Sequence, residues 1–269
     1  MDRYSNFILI GKGASGYTYS AIEKLTQRKV AIKKLPKSRN TQINVFQEAY
    51  ILQLLSTNCS DYVLCYVGYV EDAQNYYILT EYLEGYINLY DYTKNGGELS
   101  DDIIEGLLKG LQKIHQYGIA HRDIKPENIM INPNTQQIKY IDFGFACNFA
   151  SCPSQSLIKG TLFFIAPEVI LSEISPSVDA FQKADLWSLG LLILGLFCKY
   201  DILDRLTQNV PSEQLANYIA GIYINWNQNK DPIIGTSIQL CQVPEDVERI
   251  LLVLLERNPS NRKLLFLNE

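Results

Sequence analysis

The chain has 269 residues, of which 47% are hydrophobic and 20% are charged. These proportions are ordinary for a globular protein, and they exclude a disordered or a collagen-like chain. The 24 basic and 29 acidic side chains give a formal net charge of −5. That charge argues against general nucleic-acid binding through a basic surface and leaves room only for a local basic patch.

Cysteine and histidine content limits the metal and redox chemistry. Two histidines are too few for a His-rich zinc site. No C-x-x-C pair occurs, and the closest cysteines leave four and five residues between them. This spacing favours reduced intracellular thiols over a disulfide framework. The cysteines are Cys59, Cys65, Cys147, Cys152, Cys198 and Cys241.

Targeting and membrane segments are not indicated. The apolar stretch from Phe7 to Ile10 is too short for the core of a signal peptide. The longest apolar run, Leu189 to Cys198, has ten residues, whereas a bilayer-spanning helix needs about twenty. We therefore expect a soluble intracellular protein, cytoplasmic or nuclear, with no membrane or nucleic-acid partner and with a monomer as the default state.

Residues 7 to about 81 have the pattern of strands with one helix. Polar and apolar residues alternate from Tyr17 to Ile22, and Lys29–Lys34 and Tyr76–Glu81 are similar short runs. Between them, Thr41 can cap a helix whose apolar positions recur at i, i+4 and i+7. Those positions are Val45, Ala49 and Leu52.

From about residue 100 the pattern becomes helical. Ser100 can cap a helix with one apolar stripe, Ile103, Leu107, Leu111 and Ile114. A second stripe, Val247, Ile250, Leu251, Leu254 and Leu255, precedes Asn258-Pro259. Strands with one helix followed by a mostly helical half predict two α+β lobes with a cleft between them. We place the amino-terminal lobe at residues 1–82 and the carboxy-terminal lobe at residues 83–269.

A glycine loop is the first chemical signal. Gly11-Lys12-Gly13-Ala14-Ser15-Gly16 matches G-x-G-x-x-G, in which backbone N–H groups can approach phosphate oxygens. A dinucleotide-binding fold would need a helix at this point, and a P-loop would need Lys and Ser/Thr after the last glycine. Tyr17-Thr18 stands there instead, at the start of a strand. A flap between two antiparallel strands and a plain hairpin without a ligand both remain open.

A lysine at the end of the next apolar strand favours the phosphate-binding flap. Val30-Ala31-Ile32-Lys33 directs one lysine towards the protein, whereas strand alternation puts Lys34 on the opposite face. A lysine in a cleft needs an anionic partner, and Glu48 on the predicted helix can supply it. The ammonium group would then be available for phosphates.

Residues 121 to 168 carry the decisive motifs. They contain His121-Arg122-Asp123-Ile124-Lys125-Pro126-Glu127-Asn128, then Asp142-Phe143-Gly144, then Ala166-Pro167-Glu168. With the glycine loop and the strand lysine, in this order, the chain resembles the eukaryotic-type protein kinases over nearly its whole length. The resemblance implies a bilobal α+β fold, with a small antiparallel β-sheet lobe containing one helix and a larger, mainly helical lobe.

The resemblance also implies an ATP site between the lobes. The glycine loop would cover the phosphates, Lys33 would hold the α and β oxygens, and Glu48 would fix Lys33. Thr80 would be the gatekeeper, and adenine would lie between Ala31 and Met130. The full set of expected ATP-binding residues is Ile10, Gly11, Lys12, Gly13, Ala14, Ser15, Gly16, Tyr17, Thr18, Ala31, Lys33, Glu48, Thr80, Glu81, Leu83 and Met130.

Catalytic and metal roles follow from the same resemblance. Asp123 would orient the substrate hydroxyl and accept its proton, and Lys125 would neutralise the transferring phosphoryl group. Asn128 and Asp142 would supply oxygens to Mg²⁺. Lys125 and Gly160-Thr161 resemble the serine/threonine branch, so the expected substrates are Ser/Thr hydroxyls of proteins, with dual specificity as the main alternative.

Several positions depart from the family pattern. Ser15 replaces the usual aromatic residue at the tip of the glycine loop, and Thr18 replaces the usual valine over adenine. Arg122 suggests control by phosphorylation of the activation loop, with Ser151, Ser154 and Ser156 as candidate acceptors. However, Cys147 stands where relatives often have a second basic residue, so constitutive activity is an open alternative.

Two further interpretations concern architecture. Asp185 resembles the aspartate that anchors the catalytic loop from a buried helix, and Glu168 should form a buried pair with Arg262.

Six basic residues between positions 28 and 39 could form a docking patch, although a solvated strand edge is the simpler interpretation.

Two other function classes compete with an active kinase. A pseudokinase that binds nucleotide or partners usually lacks one of the positions matched here by Lys33, Asp123 or Asp142. A small-molecule kinase would not be expected to carry Thr161 and Ala166-Pro167-Glu168.

Overall fold

The amino-terminal part of the chain forms one five-stranded antiparallel sheet. The computed structural model describes residues 1–57, 59–152, 162–198, 209–211, 213–229 and 232–267. The strand order across the sheet is β1-β2-β3-β5-β4. The strands are β1 (Tyr4–Lys12), β2 (Tyr17–Glu23), β3 (Lys29–Pro36), β4 (Tyr66–Glu71) and β5 (Asn75–Glu81).

Strand register in this sheet brings the predicted nucleotide-binding residues together. Thr18 on β2 lies opposite Lys33 on β3, and Ala31 on β3 lies opposite Thr80 on β5. Strand β5 is buried over its first six residues because it has a neighbour on each side and helix α1 (Gln42–Leu55) packs nearby. The three strands predicted from period-2 patterning, now β2, β3 and β5, are confirmed.

Helix α1 begins as its sequence predicts. The Thr41 hydroxyl oxygen accepts a hydrogen bond from the Asn44 N–H at 3.3 Å, which satisfies one of the free donors of the first turn. Val45, Ala49 and Leu52 are buried, and so is Glu48. The helix thus carries one acidic side chain into the protein interior.

The rest of the described chain is mainly helical. The helices are α2 (Leu89–Lys94), α3 (Asp101–Gln116), α4 (Pro167–Ile170), α5 (Val178–Phe197), α6 (Leu215–Asn229), α7 (Pro232–Leu240) and α8 (Glu245–Leu254). Short strands form two small sheets: β6 (Ile87–Asn88), β8 (Ile129–Ile131) and β9 (Ile138–Tyr140) in one, and β7 (Ile119–Ala120) with β10 (Cys147–Asn148) in the other. The predicted α+β fold with a small sheet lobe and a larger helical lobe is confirmed.

Two helices of the larger lobe follow the sequence patterns closely. The Ser100 hydroxyl caps α3 by accepting from the Ile103 N–H, and the predicted stripe from Ile103 to Ile114 is fully buried. Helix α5 is long and apolar enough to cross a membrane, but it is mostly buried among the other elements. Burial on most sides explains why its run from Leu189 to Phe197 is apolar on every face.

A buried ion pair connects distant parts of the larger lobe. Both terminal nitrogens of Arg262 donate to the Glu168 carboxylate, at 2.6 and 2.8 Å, and neither residue is appreciably exposed. The Arg262 guanidinium also donates to backbone carbonyls and lies 5.0 Å from the centre of the Trp187 ring. The predicted pair of Glu168 and Arg262 is therefore confirmed.

The cysteines differ from the sequence-based expectation. In place of reduced thiols, the structure has three disulfides, Cys59–Cys65, Cys147–Cys152 and Cys198–Cys241. The expectation was wrong because it rested on spacing along the chain, whereas turns and helix ends bring each pair of Cα atoms to between 4.9 and 5.2 Å.

Candidate active site

The segment from His121 to Asn128 is fixed by a carboxylate from the interior. Asp185 on α5 is 1% exposed, and its two oxygens accept the backbone N–H groups of His121 and Arg122, each at 2.8 Å. The His115 Nε2 lies 3.0 Å from the same carboxylate and must carry a hydrogen, because a carboxylate only accepts. Asp185 thus anchors this loop, as the sequence predicts.

Asp123, Lys125 and Asn128 meet in this loop. The Lys125 Nζ lies 3.0 Å from the Asp123 Oδ2. The Asn128 Nδ2 donates to the same oxygen and to the Asp123 carbonyl, both at 2.8 Å. A proline at the start of a 3₁₀ turn, Pro126–Asn128, sets the backbone direction between them. The three polar side chains therefore form one hydrogen-bonded group around the Asp123 carboxylate.

His121 connects this group to the Asp142-Phe143-Gly144 motif. Its Nδ1 accepts from the Asp123 N–H, so the ring hydrogen lies on Nε2, which donates to the Ile141 carbonyl at 3.1 Å. The His121 ring also packs against Phe143, with 4.8 Å between the ring centres. His121 and Phe143 are both buried. The two motifs are thereby held in a fixed relation.

Lys33 bridges the two lobes. Its Nζ lies 2.6 Å from the Glu48 Oε1 on α1 and 2.8 Å from the Asp142 Oδ1, which follows β9. The Glu48 side chain is 7% exposed and that of Asp142 is 46% exposed. The lysine therefore faces one buried and one accessible carboxylate.

The charges of these three groups are coupled. Burial alone would lower the pKa of Lys33, but Glu48 and Asp142 outweigh it and raise that pKa above its ordinary value. Burial raises the pKa of Glu48, although the Lys33 charge acts in the opposite direction. Burial would also raise the pKa of Asp142, but the charge and the hydrogen bond of Lys33 lower it. At neutral pH the site thus holds a Lys33 ammonium and an Asp142 carboxylate.

The glycine loop connects β1 and β2 as a flap, which excludes the dinucleotide-binding and P-loop alternatives. The Gly13 N–H donates to the Gly16 carbonyl at 2.9 Å. A side chain at Gly16 would place its Cβ 2.0 Å from the Lys34 carbonyl oxygen, so the close approach to β3 requires glycine there. The Asn40 side chain donates to the Ser15 carbonyl at 2.8 Å and connects the loop tip to the start of α1.

Glu81, at the end of β5, is bonded to Lys139, a residue that the sequence analysis did not single out. Lys139 on β9 lies 2.6 Å from the Glu81 carboxylate, which also accepts the Cys65 N–H. The Glu81 N–H donates to the Cys65 carbonyl. That N–H group is therefore engaged within the protein and is not available to adenine. Thr80 is buried beside this segment.

The donor set suits Mg²⁺ together with a polyphosphate. Mg²⁺ prefers oxygen ligands and completes its shell with phosphate and water. Asp142 offers an accessible carboxylate, and because the Asn128 Nδ2 is engaged with Asp123, the amide oxygen is its remaining acceptor. Among the residues that the structure describes, no group of three His, Cys, Asp or Glu side chains could hold a metal by itself. An ion here would need the phosphates of its nucleotide.

Three of the six basic residues at positions 28–39 form ion pairs. Lys29 contacts Glu84 at 3.1 Å, Lys37 contacts Glu71 at 2.9 Å, and Lys33 faces the cleft. These contacts favour the solvated strand edge over a docking patch.

Features proposed to regulate the site are only partly within the described residues. The Arg122 guanidinium lies 4.1 Å from the centre of the Phe181 ring. Ser151 donates through its hydroxyl to the Asn148 side chain at 2.7 Å. Ser154, Ser156, Gly160 and Thr161 lie outside the residues that the structure describes.

Comparison with known proteins identifies matching sequences. A model of the protein kinase domain matches residues 4–264. The serine/threonine-protein kinase RAD53 of Saccharomyces cerevisiae is 30% identical over 269 aligned residues, which cover 94% of this chain and 31% of that protein. The MAP kinase kinase MKK1/SSP32 of the same yeast is 34% identical over 209 residues, covering 72% of this chain and 38% of that protein.

A further relative comes from a distant organism. The probable serine/threonine-protein kinase 2 of Plasmodium falciparum is 30% identical over 197 residues, which cover 71% of this chain and 37% of that protein. The chain spans about a third to a half of the length of the curated relatives that it matches.

Proposed function

Because the chain belongs to the protein kinase family, we propose that it is an ATP-dependent protein kinase that transfers the γ-phosphoryl group to Ser/Thr hydroxyls of protein substrates. The observation that carries this proposal is Lys33, held between Glu48 and Asp142 at 2.6 and 2.8 Å. An ammonium group held between carboxylates of both lobes is suited to positioning a polyphosphate.

In the proposed reaction, the chain mainly positions groups and balances charge. Mg-ATP would supply the transferable phosphoryl group, with Asn128 and Asp142 holding the metal and Lys33 holding the nucleotide phosphates. Asp123 would accept the proton of the substrate hydroxyl. The hydroxyl oxygen would form the bond to the γ-phosphorus as the bond from that phosphorus to the leaving ADP breaks. Lys125, 3.0 Å from the Asp123 Oδ2, would offset the charge of the transferring group.

The remaining assignments extend this proposal. The glycine loop with Ile10, Tyr17 and Thr18 would cover the nucleotide, and Ala31 and Met130 would enclose adenine. We propose residues 1–82 and 83–269 as the two lobes, since all five strands of the large sheet lie between Tyr4 and Glu81. We also propose a location in the cytoplasm or nucleus, because the reaction consumes ATP, and a monomer as the default state. Such compartments are reducing, so the three disulfides count against this location.

Phosphoryl transfer can be tested with radiolabelled ATP, Mg²⁺ and generic protein substrates. Asp123→Asn should lower incorporation at least about 100-fold, because it removes the proton acceptor. Asp102→Asn, on the exposed first turn of α3, is the matched control and should retain full activity. Phosphoamino-acid analysis should find phosphoserine and phosphothreonine, and phosphotyrosine would indicate dual specificity.

The same preparation separates the competing functions. If the wild-type protein binds Mg-ATP, seen as a rise in melting temperature, but labels no protein, a nucleotide-binding pseudokinase replaces the proposal. If a small molecule is labelled and protein is not, the substrate class is wrong.

A further inference from the structure

Helix α1 contacts the segment after Asp142 through two consecutive residues. Glu48 reaches it through Lys33, which is also bonded to Asp142. Gln47 reaches it directly: its Nε2 donates to the Ala146 carbonyl at 2.8 Å and lies 3.4 Å from the Ser151 carbonyl. The sequence analysis assigned no role to Gln47. The helix is thus attached to this segment at two adjacent points.

One acceptor of Gln47, Ser151, lies inside a closed loop, and the other, Ala146, directly precedes it. Ala146 directly precedes Cys147, Ser151 directly precedes Cys152, and a disulfide joins these two cysteines. Within the loop, the Ser151 and Cys152 N–H groups both donate to the Asn148 carbonyl at 3.0 Å. At its start, β10 pairs with β7, next to the His121-Arg122-Asp123 motif. These internal bonds hold the two carbonyl oxygens in place independently of α1.

The position of α1 determines whether Glu48 reaches Lys33. The Glu48 side chain is almost fully buried, and its contact with Lys33 is 2.6 Å, so a small shift of the helix would break it. Apart from Glu48, helix α1 carries no Asp, Glu, Lys or Arg. Beyond the Glu48–Lys33–Asp142 link, its polar attachment to the larger lobe therefore depends on neutral side chains.

We propose that Gln47 is a positioning residue that binds the loop closed by Cys147–Cys152 and so holds α1 where Glu48 can pair with Lys33. This inference rests on the proposed kinase function and adds a residue to its machinery. Gln47 touches neither substrate nor nucleotide in this role. It acts through Glu48 and Lys33.

The chemistry of the contact requires a donor on the side chain. Both partners are carbonyl oxygens, and the glutamine amide supplies two N–H groups. Methionine has a similar length and no donor. A glutamate at position 47 would, when ionised, place a carboxylate next to the two carbonyl oxygens and donate no hydrogen bond. When protonated, it would have one O–H donor. These two substitutions therefore separate the hydrogen bond from the space that the side chain fills.

The first experiment compares Gln47→Met with Gln53→Met in the full chain. Gln53 is an exposed glutamine on the same helix, so it controls for the substitution itself. Gln47→Met should lower kcat about tenfold, the equivalent of losing one to two hydrogen bonds, and should leave KM for the protein substrate unchanged. Gln53→Met should change neither constant. Equal kcat values for the two variants would overturn the positioning role.

The second experiment uses the pH profile of Gln47→Glu. We expect this variant to match Gln47→Met above neutral pH and to recover kcat, relative to the wild type, as the pH falls and the new carboxyl is protonated. A residue that only stabilises the fold would not produce this recovery. If the ratio of the Gln47→Glu kcat to the wild-type kcat does not change with pH, the proposal is overturned. This test does not use Gln47→Met, so it stands even if that variant does not fold.

The role of the closed loop has its own test. Cys147→Ser with Cys152→Ser loosens the acceptors, so in this background Gln47→Met should lower kcat less than tenfold. If Gln47→Met lowers kcat by the same factor with and without the disulfide, the link between Gln47 and the loop is contradicted. If the wild-type protein transfers no phosphoryl group, the proposed function fails and this inference falls with it; an active wild type with no effect at Gln47 rejects the inference alone.

Discussion

Individual residues of the site hold unusual backbone conformations. Arg122 and Asp142 have φ values of 66° and 58°, in the left-handed region that non-glycine residues seldom adopt. Each is held there by strong contacts: the Arg122 N–H bonds to Asp185, and the Asp142 carboxylate bonds to Lys33. Local strain at these two positions is thus supported by the surrounding structure. It orients the side chains on both sides of the proposed phosphate site.

A single hydrogen bond near the β4–β5 turn should control part of the pH dependence of stability. The Tyr77 hydroxyl donates to the Asp72 Oδ2 at 2.6 Å. This bond and backbone N–H donors lower the pKa of Asp72 from 3.8 to about 2. Burial and the same bond raise the pKa of Tyr77 from 10.0 to about 12.

Tyr77→Phe should therefore lower the unfolding midpoint at neutral pH. A lowered carboxyl pKa stabilises the fold above about pH 4 and loses that effect as the pH falls to about 2; a raised phenol pKa stabilises it below about pH 10 and loses that effect as the pH rises to about 12. Denaturant titrations across pH should show the difference from the wild type shrinking at both ends. Tyr50→Phe, at an exposed tyrosine on α1, should show no such profile.

Helix α3 and strand β9 approach each other closely at two glycines of the helix. A Cβ atom at Gly110 would lie 2.5 Å from the Tyr140 ring, and one at Gly106 would lie 3.0 Å from Ile138. Tyr140 is fully buried and its hydroxyl donates to the Leu107 carbonyl, so the ring cannot move aside freely. Helix α3 therefore approaches β9 closely because two of its residues lack side chains.

Gly110→Ala should destabilise the protein by about 1–3 kcal/mol, because overpacking against Tyr140 outweighs the better helix propensity of alanine. Gly221→Ala is the matched control, since nothing lies within 4 Å of a Cβ atom at that helical position. It should stabilise the protein by about 0.5–1 kcal/mol. Chemical denaturation measures the change in the free energy of unfolding for each variant. If both variants change it in the same direction, this account of the α3–β9 contact is contradicted.

At the scale of the whole molecule, the Glu168–Arg262 pair joins residues 94 positions apart in the chain. Glu168→Gln should cost about 3–5 kcal/mol, because it leaves the buried Arg262 charge without its carboxylate. The pair of Glu173 and Arg257, 2.8 Å apart, provides the control, because the Glu173 side chain is 53% exposed. Glu173→Gln should cost less than about 1 kcal/mol in the same unfolding experiment. If the two variants lose similar amounts of free energy of unfolding, burial of the Glu168–Arg262 pair does not determine its contribution to stability.

Local patterns in the sequence predicted several of the longer elements but missed strand β1, which has 9 residues, and helix α6, which has 15. Strands β2, β3 and β5 and helices α1, α3 and α8 have clear periodicity or a capping residue, and all are present. The strands β6 to β10 have only two or three residues each, which is too short for a periodic signal. The disulfides were predicted wrongly because they depend on how the chain turns.

The site was predictable where the chemistry lies in a motif and unpredictable where it depends on tertiary contact. Lys33, Glu48 and Asp142 were named from their motifs, and the structure brings them together, although their roles stay predictions. Gln47, Asn40 and Lys139 were missed. Each bonds across the fold to a partner at least 25 positions away, and no local pattern marks such residues.

Asp185 uses both oxygens of its carboxylate on consecutive backbone N–H groups. Asparagine has almost the same shape, yet one end of its amide carries hydrogens, and turning the group over only changes which backbone hydrogen it opposes. Glutamate has the right oxygens on a longer stem, and at a position only 1% exposed the added methylene would overpack its neighbours. Neither of the usual conservative replacements would therefore be neutral at this position. Among the standard amino acids, only aspartate places two equivalent acceptor oxygens at this distance from the backbone.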